Sequence, residues 1–151
     1  MPGHNGFYKI GNMKNSIIIL VGIVILISCA QEKLKLELFS PDAFAFSMDD
    51  GWELNATVNV KGFKQKYEED DYMSKVSYVI NVVTPTDTIY KADFGVLEKS
   101  SKEELMDMTI DSQIEFDSNF EAGEYQLLVF AEDQYNANKD TVTIPFTLSA
   151  E

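Results

Sequence analysis

The chain has 151 residues, 25 acidic against 12 basic, a net charge of −13, one cysteine and one histidine. Its length suits one domain of ordinary size, and a lone thiol excludes an internal disulfide or a cysteine-based metal site. Every basic residue is Lys, so an acidic chain without the guanidinium fork that grips phosphate is excluded as a nucleic-acid binder.

Residues 1–12 fit no part of an export signal, whereas Met13-Lys14-Asn15 makes a short basic start by itself. Translation is therefore expected to begin at Met13, with residues 1–12 a non-native extension. His4 lies in that extension, so the remaining chain has no histidine, the commonest general base and transition-metal ligand. Residues 17–27 are apolar or Gly; about eleven helical residues span roughly 16 Å, near half of a ~30 Å hydrocarbon core. That length suits the apolar region of a signal peptide, and an uncleaved anchor with an incidental cysteine is the alternative. Leu26-Ile27-Ser28-Cys29 resembles the lipobox of bacterial lipoproteins. The resemblance implies a signal peptide over residues 13–28, a diacylglyceryl group on the Cys29 thiol and cleavage just before it. All the acidic residues lie beyond Cys29. Cleavage would remove Lys9 and Lys14 and leave a still more acidic protein, with residues 29–33 as a lipidated tether and 34–151 as the domain.

Leu34, Leu36 and Leu38 alternate with Lys35 and Glu37, the period of a half-buried strand. Ser40-Pro41-Asp42 is expected to break it, and Phe44 and Phe46 to continue the same parity as a short segment before Asp49-Asp50-Gly51 turns the chain. Residues 52–60 form the clearest early strand: Trp52, Leu54, Ala56, Val58 and Val60 share one face. Residues 64–74 read as a polar loop. Val76, Tyr78, Ile80 and Val82 resume a strand, Pro85-Thr86-Asp87 turns, and residues 88–94 read as a weaker edge strand. Ser100 to Leu105 could start one helical turn. Met108, Ile110, Ile114 and Phe116 mark another strand. Tyr125, Leu127, Val129 and Ala131 share a face in the next, where Leu128 and Phe130 imply a central strand covered on both sides. Val142, Ile144, Phe146 and Leu148 close the chain in phase, with Pro145 on the opposite parity.

About seven or eight short strands with little helix predict an all-β fold, a single β-sandwich. The 120–131 segment, an apolar residue, then Gly123, then Tyr125 before an alternating strand, resembles the strand-F region of immunoglobulin-like, fibronectin type III and cadherin-like domains. The resemblance implies an immunoglobulin-like sandwich of about seven strands, with the Tyr125 hydroxyl bonded back to backbone across a corner. Trp52 departs from the pattern, since it opens the presumed second strand, and a jelly roll or another sandwich topology is the alternative.

No histidine-activated nucleophile is available, and no carboxylate spacing singles out an acid–base pair, so the reading is noncatalytic. The alternative enzyme would be a carboxylate hydrolase. The 132–140 loop supplies oxygen ligands of the type Ca²⁺ takes: Glu132, Asp133, Asn136, Asn138 and Asp140. An immunoglobulin-like order would bring Glu68, Glu69, Asp70 and Asp71 to the same pole. A Ca²⁺ site there competes with simple solvation; no other cofactor is expected. Asp87-Thr88-Ile89 and Asp140-Thr141-Val142 resemble the O-glycosylation motif of Bacteroidetes envelope proteins, which implies Thr88 and Thr141 as acceptors. The functional expectation is a binding or accessory module of the cell envelope, outer-membrane anchored, with another envelope protein or a glycan as partner. The alternative is a structural spacer without its own ligand. Exposed Tyr67, Tyr72, Tyr90 and Tyr135 on one rim would favour a glycan; an apolar patch using Leu128 and Phe130 would favour a protein.

Overall fold

Two-residue alternation governs the architecture, and its clearest run, residues 52–60, lies at the centre of one sheet. The computed structural model describes residues 34–149. The expected extension, signal peptide and tether, with Cys29, lie outside the described residues. Within them the chain is all-β, with β1 (Glu37–Met48), β2 (Gly51–Lys61), β3 (Gln65–Glu68), β4 (Asp71–Val83), β5 (Thr88–Ser101), β6 (Asp107–Asp117), β7 (Gly123–Asp133) and β8 (Lys139–Leu148). They form two antiparallel sheets, β1-β2-β6 and β5-β4-β7-β8, with the short β3 paired to the start of β4. The result is a β-sandwich whose strand order is compatible with an immunoglobulin-like domain.

The inward parity of each sheet supplies one shared core. From β2 and β6 come Trp52, Leu54, Val58, Val60, Ile110 and Phe116; from the facing sheet come Val76, Ile80, Leu127, Val129, Ile144 and Phe146. Leu54 and Leu127 are wholly buried, so truncating either to Ala would cost about 2–5 kcal/mol. The two open sides are tied by polar contacts. Leu38 N donates to Asp140 Oδ2 at 2.8 Å between β1 and β8, and the Ser112 hydroxyl donates to the Asp93 carboxylate between β6 and β5.

Four local expectations are corrected. Ser40-Pro41-Asp42 does not break β1 but bulges it. Phe39 pairs with Asn59 and Asp42 with Thr57, so β1 advances three residues while β2 advances two, with Ser40 at φ 47°. One extra residue inverts the parity. Ala43 and Ala45 therefore pack on the core, while Phe44, Phe46 and Met48 face outward, 57%, 43% and 39% exposed. The polar 64–74 stretch is a hairpin, not a loop: Tyr67 pairs with Tyr72, and Glu69 and Asp70 take positive φ at its tip. β5 runs on to Ser101, which removes the expected helical turn. Gly95 sits opposite Tyr78, whose hydroxyl is 2.8 Å from where a Cβ would stand, so the ring covers the glycine. Finally, β7 is central in its sheet, between β4 and β8, but is covered on one face: Leu128 is half-buried and Phe130 exposed.

Candidate interaction surface

The corner before β7 is built from Gly123 and the aromatic residues around it. The Tyr125 ring is buried, and its hydroxyl donates to the Glu121 carbonyl at 2.8 Å. It stacks on Phe146 at 5.6 Å between centroids, and Phe120 lies at 6.5 Å. The Trp52 indole N–H donates to the Phe120 carbonyl at 3.0 Å, which ties the corner to the facing sheet.

The acidic pole has a different organisation from a ligand cage. Asp133 is fully buried and accepts from Lys64 N at 2.6 Å and Tyr135 N at 2.9 Å. Asp140 accepts from Leu38 N, Asn138 donates to the Leu34 carbonyl at 2.7 Å, and Asn136 accepts from Asn138 N. Glu132 pairs with Lys139 at 3.0 Å. The β3–β4 hairpin does reach this loop, with the Lys66 ammonium 4.4 Å from the Tyr135 ring centre. Its Asp71, however, turns to Lys102 and Ser100, which hold its carboxyl below the ordinary carboxylate value. Asp70 accepts from the Tyr67 hydroxyl, and Glu68 and Glu69 are exposed. Among the described residues no group of three or more His, Cys, Asp or Glu side chains could hold a metal ion.

Thr88 opens β5, half-buried, with its N–H on Asp87 Oδ1 at 2.7 Å; Thr141 is exposed on β8. Three of the four tyrosines, Tyr67, Tyr72 and Tyr135, gather at the β3–β4 hairpin end, and Tyr90 does not. Tyr67 and Tyr72 pair across the hairpin at 5.0 Å, Tyr135 lies under Lys66, and Tyr90 is near the far end of β5. A cleft of about 850 Å³ flanks Thr84 and Pro85 at the pole opposite Leu34. Glu124 and Tyr125 are its ionisable groups, and the Tyr125 hydroxyl is already engaged, so the cleft offers no acid–base pair. Burial, aided by Asp93 and Asp111, pushes the Tyr78 phenol up, which keeps it protonated at neutral pH.

What the strands do bring together is apolar. Register aligns Phe94 of β5, Val79 of β4, Phe130 of β7 and Thr141 of β8 in one row on the outer face of the larger sheet. Phe94 is 66% exposed and Phe130 38%; two strand spacings put them about 10 Å apart. Val96 and Leu128 flank the row, and the charges beside it are paired, Lys75 with Glu98 at 3.1 Å and Glu132 with Lys139. An apolar centre within a neutralised polar rim is the anatomy of a protein-binding patch. Sequence reasoning found Leu128 and Phe130 but missed Phe94 and Val79. Extending the β5 alternation past Gly95 was the signal that places Phe94 and Val96 together.

No protein-family model matches the chain, and no curated protein matches it.

Proposed function

We propose that the protein is a noncatalytic accessory lipoprotein of the cell envelope. In this reading an immunoglobulin-like module, lipidated at Cys29, docks through the outer face of its larger sheet onto a neighbouring envelope protein. The lipobox residues Leu26-Ile27-Ser28-Cys29 support the anchor. The Tyr125 corner bond and the order of the two sheets support the immunoglobulin-like assignment. The observation that carries the docking role is the exposed row Phe94–Val79–Phe130. Phe rings bring contact area without a polar handle, which suits an apolar protein surface. Of the three tyrosines at the hairpin end, Tyr72 and Tyr135 are half-buried and only Tyr67 is exposed, which speaks against a broad aromatic glycan rim.

The test combines two variants. Cys29→Ala should move the protein from the detergent phase to the aqueous phase. Phe94→Ser with Phe130→Ser should leave it lipidated but release it from a larger complex on native electrophoresis of mild-detergent extracts. A Cys29→Ala protein that stays membrane-bound contradicts the anchor. A wild-type chain that migrates alone, or a double variant that stays in the complex, contradicts the docking role.

A further inference from the structure

The smaller sheet has an outer face that the docking row above does not use. At the end of this face near the β1–β2 turn the rows are Phe44–Asn55–Gln113, Phe46–Glu53–Glu115 and Met48–Gly51–Asp117 across β1, β2 and β6, while Lys61 lies at the opposite end, paired with Glu37. Two features of this face work against the fold rather than for it. Glu53 stands directly opposite Glu115, a like-charge cross-strand pair that costs stability. The bulge at Ser40 turns Phe44, Phe46 and Met48 to solvent on the same face, although the other parity would bury them. No Lys stands in these rows. Among the described residues, Glu53, Glu115 and Asp117 take no part in the ion pairs, which join Lys61 to Glu37, Lys75 to Glu98, Lys102 to Asp71 and Lys139 to Glu132. Glu53 accepts from the Asn55 amide at 2.9 Å and Asp117 from Asn119 N at 2.9 Å, both neutral donors, so the acidic half has hydrogen bonds but no cation from the described residues, and it lies directly beside an apolar stripe.

We propose that the Phe44–Phe46–Met48 edge and the Glu53–Glu115–Asp117 carboxylates form one docking surface for a basic amphipathic segment of a partner protein. Lys or Arg side chains of that segment lie over the carboxylates, and its apolar side chains cover Phe44 and Phe46. Charge selects this occupant. A phosphate-bearing surface and a second copy of this acidic chain would both be repelled, and a free cation would neutralise the carboxylates but leave the rings in water. A cationic, partly apolar segment satisfies both halves at once, and binding relieves the Glu53–Glu115 repulsion.

The test uses the full chain in zwitterionic nanodiscs and a short peptide of alternating Lys and Leu, with a Lys–Ser peptide of equal charge as control. The Lys–Leu peptide should bind, in a salt-dependent way, and shift backbone resonances of β1, β2 and β6. Phe44→Ser with Phe46→Ser changes no charge and should weaken binding about tenfold or more. Glu115→Gln should weaken binding while raising the denaturation midpoint, a pairing of effects that a merely structural glutamate would not give. Phe94→Ser with Phe130→Ser, on the other sheet, should leave peptide affinity unchanged. The proposal is overturned if the Lys–Ser peptide binds as tightly, if the Phe44/Phe46 variant binds like wild type, or if the Phe94/Phe130 variant loses affinity equally.

Discussion

Removing the Tyr125 hydroxyl isolates one interaction at the corner between the two sheets. In Tyr125→Phe the ring keeps its stacking on Phe146 at 5.6 Å and loses only the 2.8 Å bond to the Glu121 carbonyl. Glu121 is exposed, so its carbonyl can recover a bond from water, and the loss should be one neutral hydrogen bond, about 1 kcal/mol. For a domain of this size that lowers the melting temperature by roughly 4 °C. Tyr125→Ala also removes the buried ring and leaves a cavity beside Phe120 and Phe146, so its cost should be about 3–5 kcal/mol, by analogy with Phe. Urea denaturation followed by Trp52 fluorescence suits the measurement. Trp52 is the sole tryptophan, and its indole bonds to Phe120 at the same corner. Both variants should shift the midpoint with the slope unchanged. A Phe variant as damaged as the Ala variant would show that the hydroxyl, not the ring, carries the corner. A Phe variant indistinguishable from wild type would refute the hydrogen-bond account.

Asp133→Ala should cost about 3 kcal/mol or more, because it strands the Lys64 and Tyr135 N–H groups around a fully buried position; chelator should leave the wild-type midpoint unmoved, since the carboxylate serves backbone donors. Gly62→Ala should be destabilising by at least about 1–3 kcal/mol in the same urea assay, since Gly62 has φ 70° and a Cβ would lie 2.0 Å from the Lys35 carbonyl. Asp71 has its folded pKa lowered, first by the Lys102 hydrogen bond and then by Ser100, so its contribution is present above its ordinary value of 3.8 and is lost as pH falls through the depressed folded value. Stability profiles of Asp71→Asn and wild type should accordingly diverge above about pH 4 and converge in stronger acid.

Legibility followed the local physics of each strand. Residues 52–60 and the run from Tyr125 to Ala131 were readable because one face is wholly apolar, and register then matches parity along β2 and β7. β1 was readable only as far as Phe39. This bulge places a non-glycine residue, Ser40, at positive φ, and neither hydropathy nor Pro41 distinguishes that from a break. The β3–β4 hairpin escaped because both of its tip residues, Glu69 and Asp70, take positive φ without a glycine to signal it. β5 was cut short because Gly95, Glu98 and Lys99 look like strand breakers, yet an edge strand exposed on one face tolerates them. The surface row was half legible for the same reason. Leu128 and Phe130 stood out as apolar residues on the wrong parity of a strong strand, whereas Phe94 and Val79 join them only through the register of β5 with β4 and β4 with β7. The acidic 132–140 loop was read for its oxygen atoms. Their engagement with Lys64, Tyr135 and Leu38 backbone depends on contacts far apart in the chain.

The docking claim is tested most directly by a photo-crosslinking residue placed at Thr143 in intact cells. Thr143 is exposed on β8 and pairs with Leu128 beside the Phe94–Phe130 row. The same probe at the exposed corner residue Glu121 is the control. The account predicts a discrete protein adduct from position 143, absent from position 121 and lost when Phe94 and Phe130 are changed to Ser. No protein adduct at 143, or the same adduct from both positions, would contradict it.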